Sequence, residues 1–170
     1  MIKRRWLFWL LAAALSVFFA EVISGSSAFA FFDAWGLLVI LPLYGLHLLV
    51  LASFIYKRAR PSWPALFFAG ALFGLYEAYI TKVLWLPPWD LRLPFAGVDL
   101  LAITTLVLWW HPFISFILPL GLAEYLGSGS RDVAAALPAG LRRLLGQRWL
   151  QFSLAALLGW MQASSLPAGG

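Results

Sequence analysis

AWGLLVILPLYGLHLLVLASFIY, residues 34–56, runs for 23 positions without an aspartate, glutamate, lysine or arginine. A bilayer core about 30 Å thick needs about 20 apolar helical residues to cross it, so this stretch reads as a membrane span. Four more segments of similar character occupy residues 6–25, 63–86, 98–126 and 149–166. Composition agrees along the whole chain, with 63% hydrophobic residues, 11% charged residues and a mean hydropathy of +0.88. Soluble domains carry roughly 25% charged residues. The expected fold is therefore all-α, a polytopic transmembrane bundle of about five spans, forming one integral membrane domain over residues 1–170. Cysteine is absent, which removes disulfides, thiolate metal sites and cysteine nucleophiles from consideration.

Charge orients the bundle. Lys3, Arg4 and Arg5 precede the first span, Lys57, Arg58 and Arg60 follow the second, and Arg131, Arg142, Arg143 and Arg148 follow the fourth. The other side carries Arg92 beside Asp33, Asp90 and Asp99. If all five segments cross, every basic cluster lies on one side, which places the N-terminus in the cytoplasm and the C-terminus outside a cell (inner) membrane. Trp6, Trp35, Trp63, Trp85, Trp89 and Trp149 near span ends suit the interfacial belt. The net charge of +5 is spread among these short runs and points to lipid headgroups, with no nucleic-acid partner expected. The Ala28-Phe29-Ala30 triplet resembles a signal-peptidase site, but it lies beyond the apolar run and Glu21 interrupts the approach, so the first span is expected to be a retained anchor. Residues 133–145 are expected to form a short surface helix.

Ionisable side chains near the bilayer centre are costly, and three stand out. At about 1.5 Å of rise per residue, His47, Glu77 and His111 fall within about 3 Å of their span centres. Tyr44 lies one turn from His47, and Gly70, Gly74 and Ala78 form a small-residue stripe on nearly the face that carries Glu77. The expected site groups Glu77 with His111, puts His47 on its edge and supplies Tyr44 as a hydroxyl partner. A second layer is expected about 8 to 9 Å outward, where Glu21 and Lys82 share a depth and oppose in sign, with Ser24 and Ser26 adding hydrogen bonds. The competing structural readings are a satisfied neutral glutamic acid, a helix-pairing ion pair and a lysine snorkelling to the interface. Asp99 suits a helix first turn, and Glu124 suits a span end where water or Arg131 satisfies it. Pro112 and Pro119 are expected to kink or split the fourth span.

The Tyr76-Glu77 stretch ending in Lys82, followed one span later by His111-Pro112-Phe113-Ile114-Ser115, resembles motifs of the CAAX-protease and bacteriocin-processing family of glutamic intramembrane proteases. That family carries paired glutamates ending in arginine, a histidine preceded by phenylalanine four residues earlier, and a second histidine motif. Tyr76 stands here for the first glutamate, Lys82 comes one place late for the arginine, Val107 replaces the phenylalanine, and the third motif is missing. The resemblance covers about two spans. It implies Glu77 as the base that activates water, with His111 stabilising the oxyanion or sharing the proton.

Three classes of function stay open on sequence grounds. One is an intramembrane hydrolase acting on a lipid, peptide or small molecule. Another is a haem b protein ligated by His47 and His111, with Gly45 allowing close approach. The third is a small transporter, substrate-binding or scaffold subunit working with other membrane subunits. No P-loop, GxSxG, HExxH or dinucleotide glycine motif is present, and the sequence implies no particular cofactor.

Overall fold

A computed structural model describes residues 2–58, 60–87, 90–145, 147–150, 152–153 and 156–157. Four helices are long and apolar enough to cross a membrane: α1 (residues 2–22), α2 (Gly36–Arg58), α3 (Trp63–Ile80) and α4 (Leu100–Ser128). The chain is thus a helical membrane bundle. Most of the expected fifth span, together with Trp89, lies outside the described residues. A two-residue hairpin, β1 (Pro94–Phe95) paired antiparallel with β2 (Val98–Asp99), leads into α4. Its turn places Ala96 and Gly97 at positive φ, 46° and 84°. Asp99 then caps α4, its Oδ1 accepting from the Ala102 N–H at 2.8 Å while Oδ2 accepts from the Leu93 N–H at 3.0 Å.

The helices bury small and aromatic side chains against each other and turn Leu38, Phe68, Leu72 and Trp109 outward, where lipid would cover them. The most extensive pair is α3 with α4. Gly70 and Gly74 explain why. A Cβ on Gly70 would collide with the Pro112 backbone, and one on Gly74 would lie 2.8 Å from the His111 Cβ, so only glycine permits this approach. The Ser16 hydroxyl ties α1 to the same helix by donating to the Ser115 carbonyl at 2.5 Å.

Three expectations need correction. The third span does not reach residue 86. It ends at Ile80, the Thr81 hydroxyl donates back to the Glu77 carbonyl, and Lys82 takes a left-handed backbone with φ of 60°. Of the two outcomes expected of the prolines, kinking or splitting the fourth span, splitting does not occur. Ile103–Ile117 is π-helical, a wider coil with i→i+5 hydrogen bonds that carries Pro112 inside one continuous helix. The surface helix is two pieces, α5 (Asp132–Ala136) and α6 (Ala139–Leu145), because Pro138 forces Leu137 into an extended conformation with ψ of 142°.

Candidate functional site

The α3 and α4 contact creates the buried polar centre. With glycine at 70 and 74, the two helices come close enough that Glu77, one turn beyond Gly74, meets the His111 ring. His111 Nε2 lies 3.4 Å from Glu77 Oε2, and the side chains are 3% and 14% exposed. The other ring nitrogen, Nδ1, sits 2.9 Å from the Leu106 carbonyl oxygen. A carbonyl only accepts, so Nδ1 carries the proton and donates it there, and in the neutral ring Nε2 presents its lone pair toward Glu77. The Nε2 contact falls within ion-pair range but lacks hydrogen-bond alignment. Nε2 and the Ser115 hydroxyl are buried side-chain polar atoms without a hydrogen-bond partner among the described residues.

Outward of this pair, the Glu21 carboxylate collects hydroxyls. Tyr44 donates to Oε1, and Ser26 donates to Oε2 at 2.5 Å. Ser24 closes the turn behind them by donating to the Ala20 carbonyl at 2.7 Å, and Gly25 supplies the left-handed residue, φ 80°, that lets Ser26 fold back. Tyr44, the expected hydroxyl partner of the Glu77 and His111 cluster, gives its hydroxyl to Glu21. It stays beside the inner pair, its ring stacked 6.4 Å from that of His111, and it lies within electrostatic reach of both Glu21 and Glu77. Glu21 and Lys82 do not form the expected ion pair. The Glu21 oxygens are occupied by Tyr44 and Ser26, and Lys82 is exposed in the turn after α3 has ended, off the helical face that would have aimed it inward.

Phe73 is the residue that sequence reading passed over. Fully buried, it stacks on His47 at 4.9 Å, meets His111 edge-on at 5.2 Å and meets Tyr44 edge-on at 5.1 Å. Its only signal was a position three residues from Gly70 and four from Glu77. His47 sits outside it, with Nδ1 held 2.7 Å from the Leu43 carbonyl oxygen, beside a groove of about 320 Å³ shared with Leu46, Val50, Leu51, Leu72 and Tyr76. Phe73 packs against both imidazoles, and His111 Nε2, the nitrogen a metal would need, lies beside the Glu77 carboxyl group. Gly45 faces Ala13 of α1, with a virtual Cβ 3.1 Å from the alanine's, and opens no room beside either histidine. The residues present therefore do not fit a haem held by His47 and His111. Among the described residues no group of three or more His, Cys, Asp or Glu side chains is arranged to hold a metal ion.

A separate polar knot joins the basic end of the bundle. Glu124, expected to rely on water or Arg131, instead accepts the Tyr56 hydroxyl at 2.5 Å and the Val133 N–H at 2.9 Å, while Arg131 lies over the Tyr125 ring. It links α2, α4 and α5.

A family model described as "Uncharacterized membrane protein family" matches residues 10–168. An Archaeoglobus fulgidus protein described as "Uncharacterized protein" is 44% identical over 163 residues, which cover 95% of this chain and 51% of that protein. The chain spans about half the length of this curated relative. No solved structure matches.

Proposed function

We propose, for a chain that belongs to this uncharacterized membrane protein family, that it is a multi-pass protein of the cell membrane which takes up and passes on protons within the bilayer. Glu77 and His111 are the proton-carrying pair. Tyr44 and Glu21 relay toward the serine turn at residues 24–26, and the basic clusters put the N-terminus in the cytoplasm. The observation that carries this reading is the His111 ring itself, with one nitrogen fixed on a backbone carbonyl and the other buried 3.4 Å from a carboxyl oxygen, without a hydrogen-bond partner among the described residues. Such a pair holds one proton in either of two arrangements, carboxylic acid with neutral imidazole or carboxylate with imidazolium, and both have zero net charge. Moving the proton between them therefore adds no net charge to the low-dielectric interior. A proton that enters the pair from one side is then balanced by one that leaves to the other, which suits the pair to passing protons in coupled transport, as a small transporter or as a subunit of a larger membrane assembly.

Infrared difference spectroscopy of the protein in lipid tests this directly. A carboxylic-acid C=O band should respond to bulk pH, vanish in Glu77→Gln and move in His111→Gln. A band at Glu77 that ignores pH across the range where the fold survives overturns the proposal.

A second reading is intramembrane hydrolysis. It is supported by the approach of Glu77 and His111 from neighbouring spans, the geometry that the glutamic-protease resemblance asks for, and by a lipid-side groove at His47 through which an apolar substrate would enter. The readings separate at Tyr44. Tyr44→Phe interrupts the outward relay but leaves a Glu77 base and its histidine in place, so it impairs proton exchange and spares hydrolysis.

A further inference from the structure

At the basic end of the bundle, away from the Glu77 and His111 pair, a cavity of about 710 Å³ opens between α1, α2 and the last turn of α4. Its size lies in the range of about 300 to 1,000 Å³ typical of small-ligand sites. Arg5 of α1 and Lys57 of α2 line it, both exposed, and neither makes an ion pair among the described residues. Glu124 and Asp132 line it as well, so the wall carries two cations and two carboxylates.

The carboxylates have different duties. Both Glu124 oxygens are committed, one to the Tyr56 hydroxyl at 2.5 Å and one to the Val133 N–H at 2.9 Å, which makes Glu124 the scaffold of the back wall. Asp132 accepts the Ser130 hydroxyl on Oδ2 at 2.8 Å, and no donor reaches its Oδ1 among the described residues. Trp9 and Phe8 give the cavity an apolar side continuous with the outer surface of α1. A purely anionic ligand would meet Arg5 and Lys57 favourably but Asp132 unfavourably. A purely cationic one would meet the reverse. A headgroup with both signs, attached to an apolar tail, satisfies every wall.

We propose that this cavity binds the headgroup of an amphiphile that carries both a phosphate and an ammonium group, with the phosphate on Arg5 and Lys57, the ammonium on Asp132 and the tail along Trp9. Basic pockets between spans on the cytoplasmic side are a recurrent way of holding lipid headgroups, and the acidic member here is what selects a zwitterion.

Native mass spectrometry of the full chain in detergent, titrated with short-chain phosphatidylethanolamine, short-chain phosphatidylglycerol and inorganic phosphate, tests the assignment. Phosphatidylethanolamine should bind in preference to phosphatidylglycerol. Each charge-assisted hydrogen bond lost should weaken binding about tenfold or more, which sets the effect expected for Arg5→Gln with Lys57→Gln. Asp132→Asn keeps the acceptor for Ser130 and should lower affinity for phosphatidylethanolamine while raising it for phosphatidylglycerol. Equal binding of the two lipids by the wild-type protein, which needs no variant, overturns the proposal and leaves Arg5 and Lys57 as ordinary snorkelling side chains. Inorganic phosphate that binds as tightly and displaces phosphatidylethanolamine overturns the lipid assignment in favour of a free phosphate. None of these outcomes depends on proton exchange at Glu77, so the two proposals fail separately.

Discussion

Replacing Gly70 by alanine tests whether the α3 and α4 approach is the foundation of the site. The new methyl would collide with Pro112 Cα and lie 3.2 Å from both Pro112 Cβ and Phe116 Cβ. These atoms are backbone or first side-chain carbons, so no rotamer change relieves the clash and the helices must separate. Carbon pairs prefer about 3.5 to 4.0 Å. Overpacking of this kind costs about 1 to 3 kcal/mol, whereas alanine regains about 1 kcal/mol of helix propensity over glycine. The net expectation is a loss of up to about 2 kcal/mol. Gly121 is the internal control, since a Cβ there would meet Val133 Cγ1 at 3.4 Å, an ordinary contact. Gly121→Ala should therefore be neutral or gain up to about 1 kcal/mol. Reversible unfolding in mixed micelles measures both, and the infrared band of Glu77 should shift in Gly70→Ala alone because the displacement lies one turn from the Gly74 and His111 contact. A Gly70→Ala protein as stable as wild type, with an unmoved Glu77 band, refutes the claim that glycine-limited packing builds the site.

Hydropathy and charge made the spans legible because each depends on a run of residues, and runs survive small errors in boundary. Residues 34–56 against Gly36–Arg58 show the scale of the disagreement. The exact end of α3 depends on one residue, the left-handed Lys82, whose sequence neighbourhood contains neither glycine nor asparagine to announce it. That single conformation also removed the Glu21 and Lys82 pairing, since equal depth on an ideal helix means nothing once the helix has stopped. The widening of Ile103–Ile117 was equally hidden. Proline says that an α-helical hydrogen bond is lost but not whether the chain breaks, kinks or widens; here it widens, along a segment against which Gly70 and Gly74 pack. Depth placed Glu77 and His111 at one level because both lie near span centres. Facing could not be read for Tyr44, whose hydroxyl reaches 23 residues back to Glu21 across a helix pair, nor for Tyr56, which reaches 68 residues forward to Glu124. Tertiary contacts of that separation leave no periodic trace in one sequence.

Tyr56→Phe removes the hydroxyl that satisfies Glu124, and a buried acceptor left without its donor should lower stability by about 1 to 3 kcal/mol, with faster hydrogen exchange at the Val133 amide. Asp99→Ala removes a cap that serves both α4 and the preceding hairpin, for an expected loss of about 0.5 to 2 kcal/mol in the same unfolding assay. Glu21 pairs with Tyr44 and not with Lys82. In a double-mutant cycle, Glu21→Gln and Tyr44→Phe act on the same hydrogen bond, so their effects on stability should fall short of additivity by about 0.5 to 3 kcal/mol. Glu21→Gln and Lys82→Ala share no contact, and their effects should add within about 0.5 kcal/mol. Lys82 is exposed in the turn after α3, where a charge distant from its opposite gains little, whereas Glu21 takes the hydroxyl of the buried Tyr44 side chain. Strong coupling to Lys82 with additivity at Tyr44 would return the outer layer to an ion pair and break the proposed path from the serine turn to Glu77.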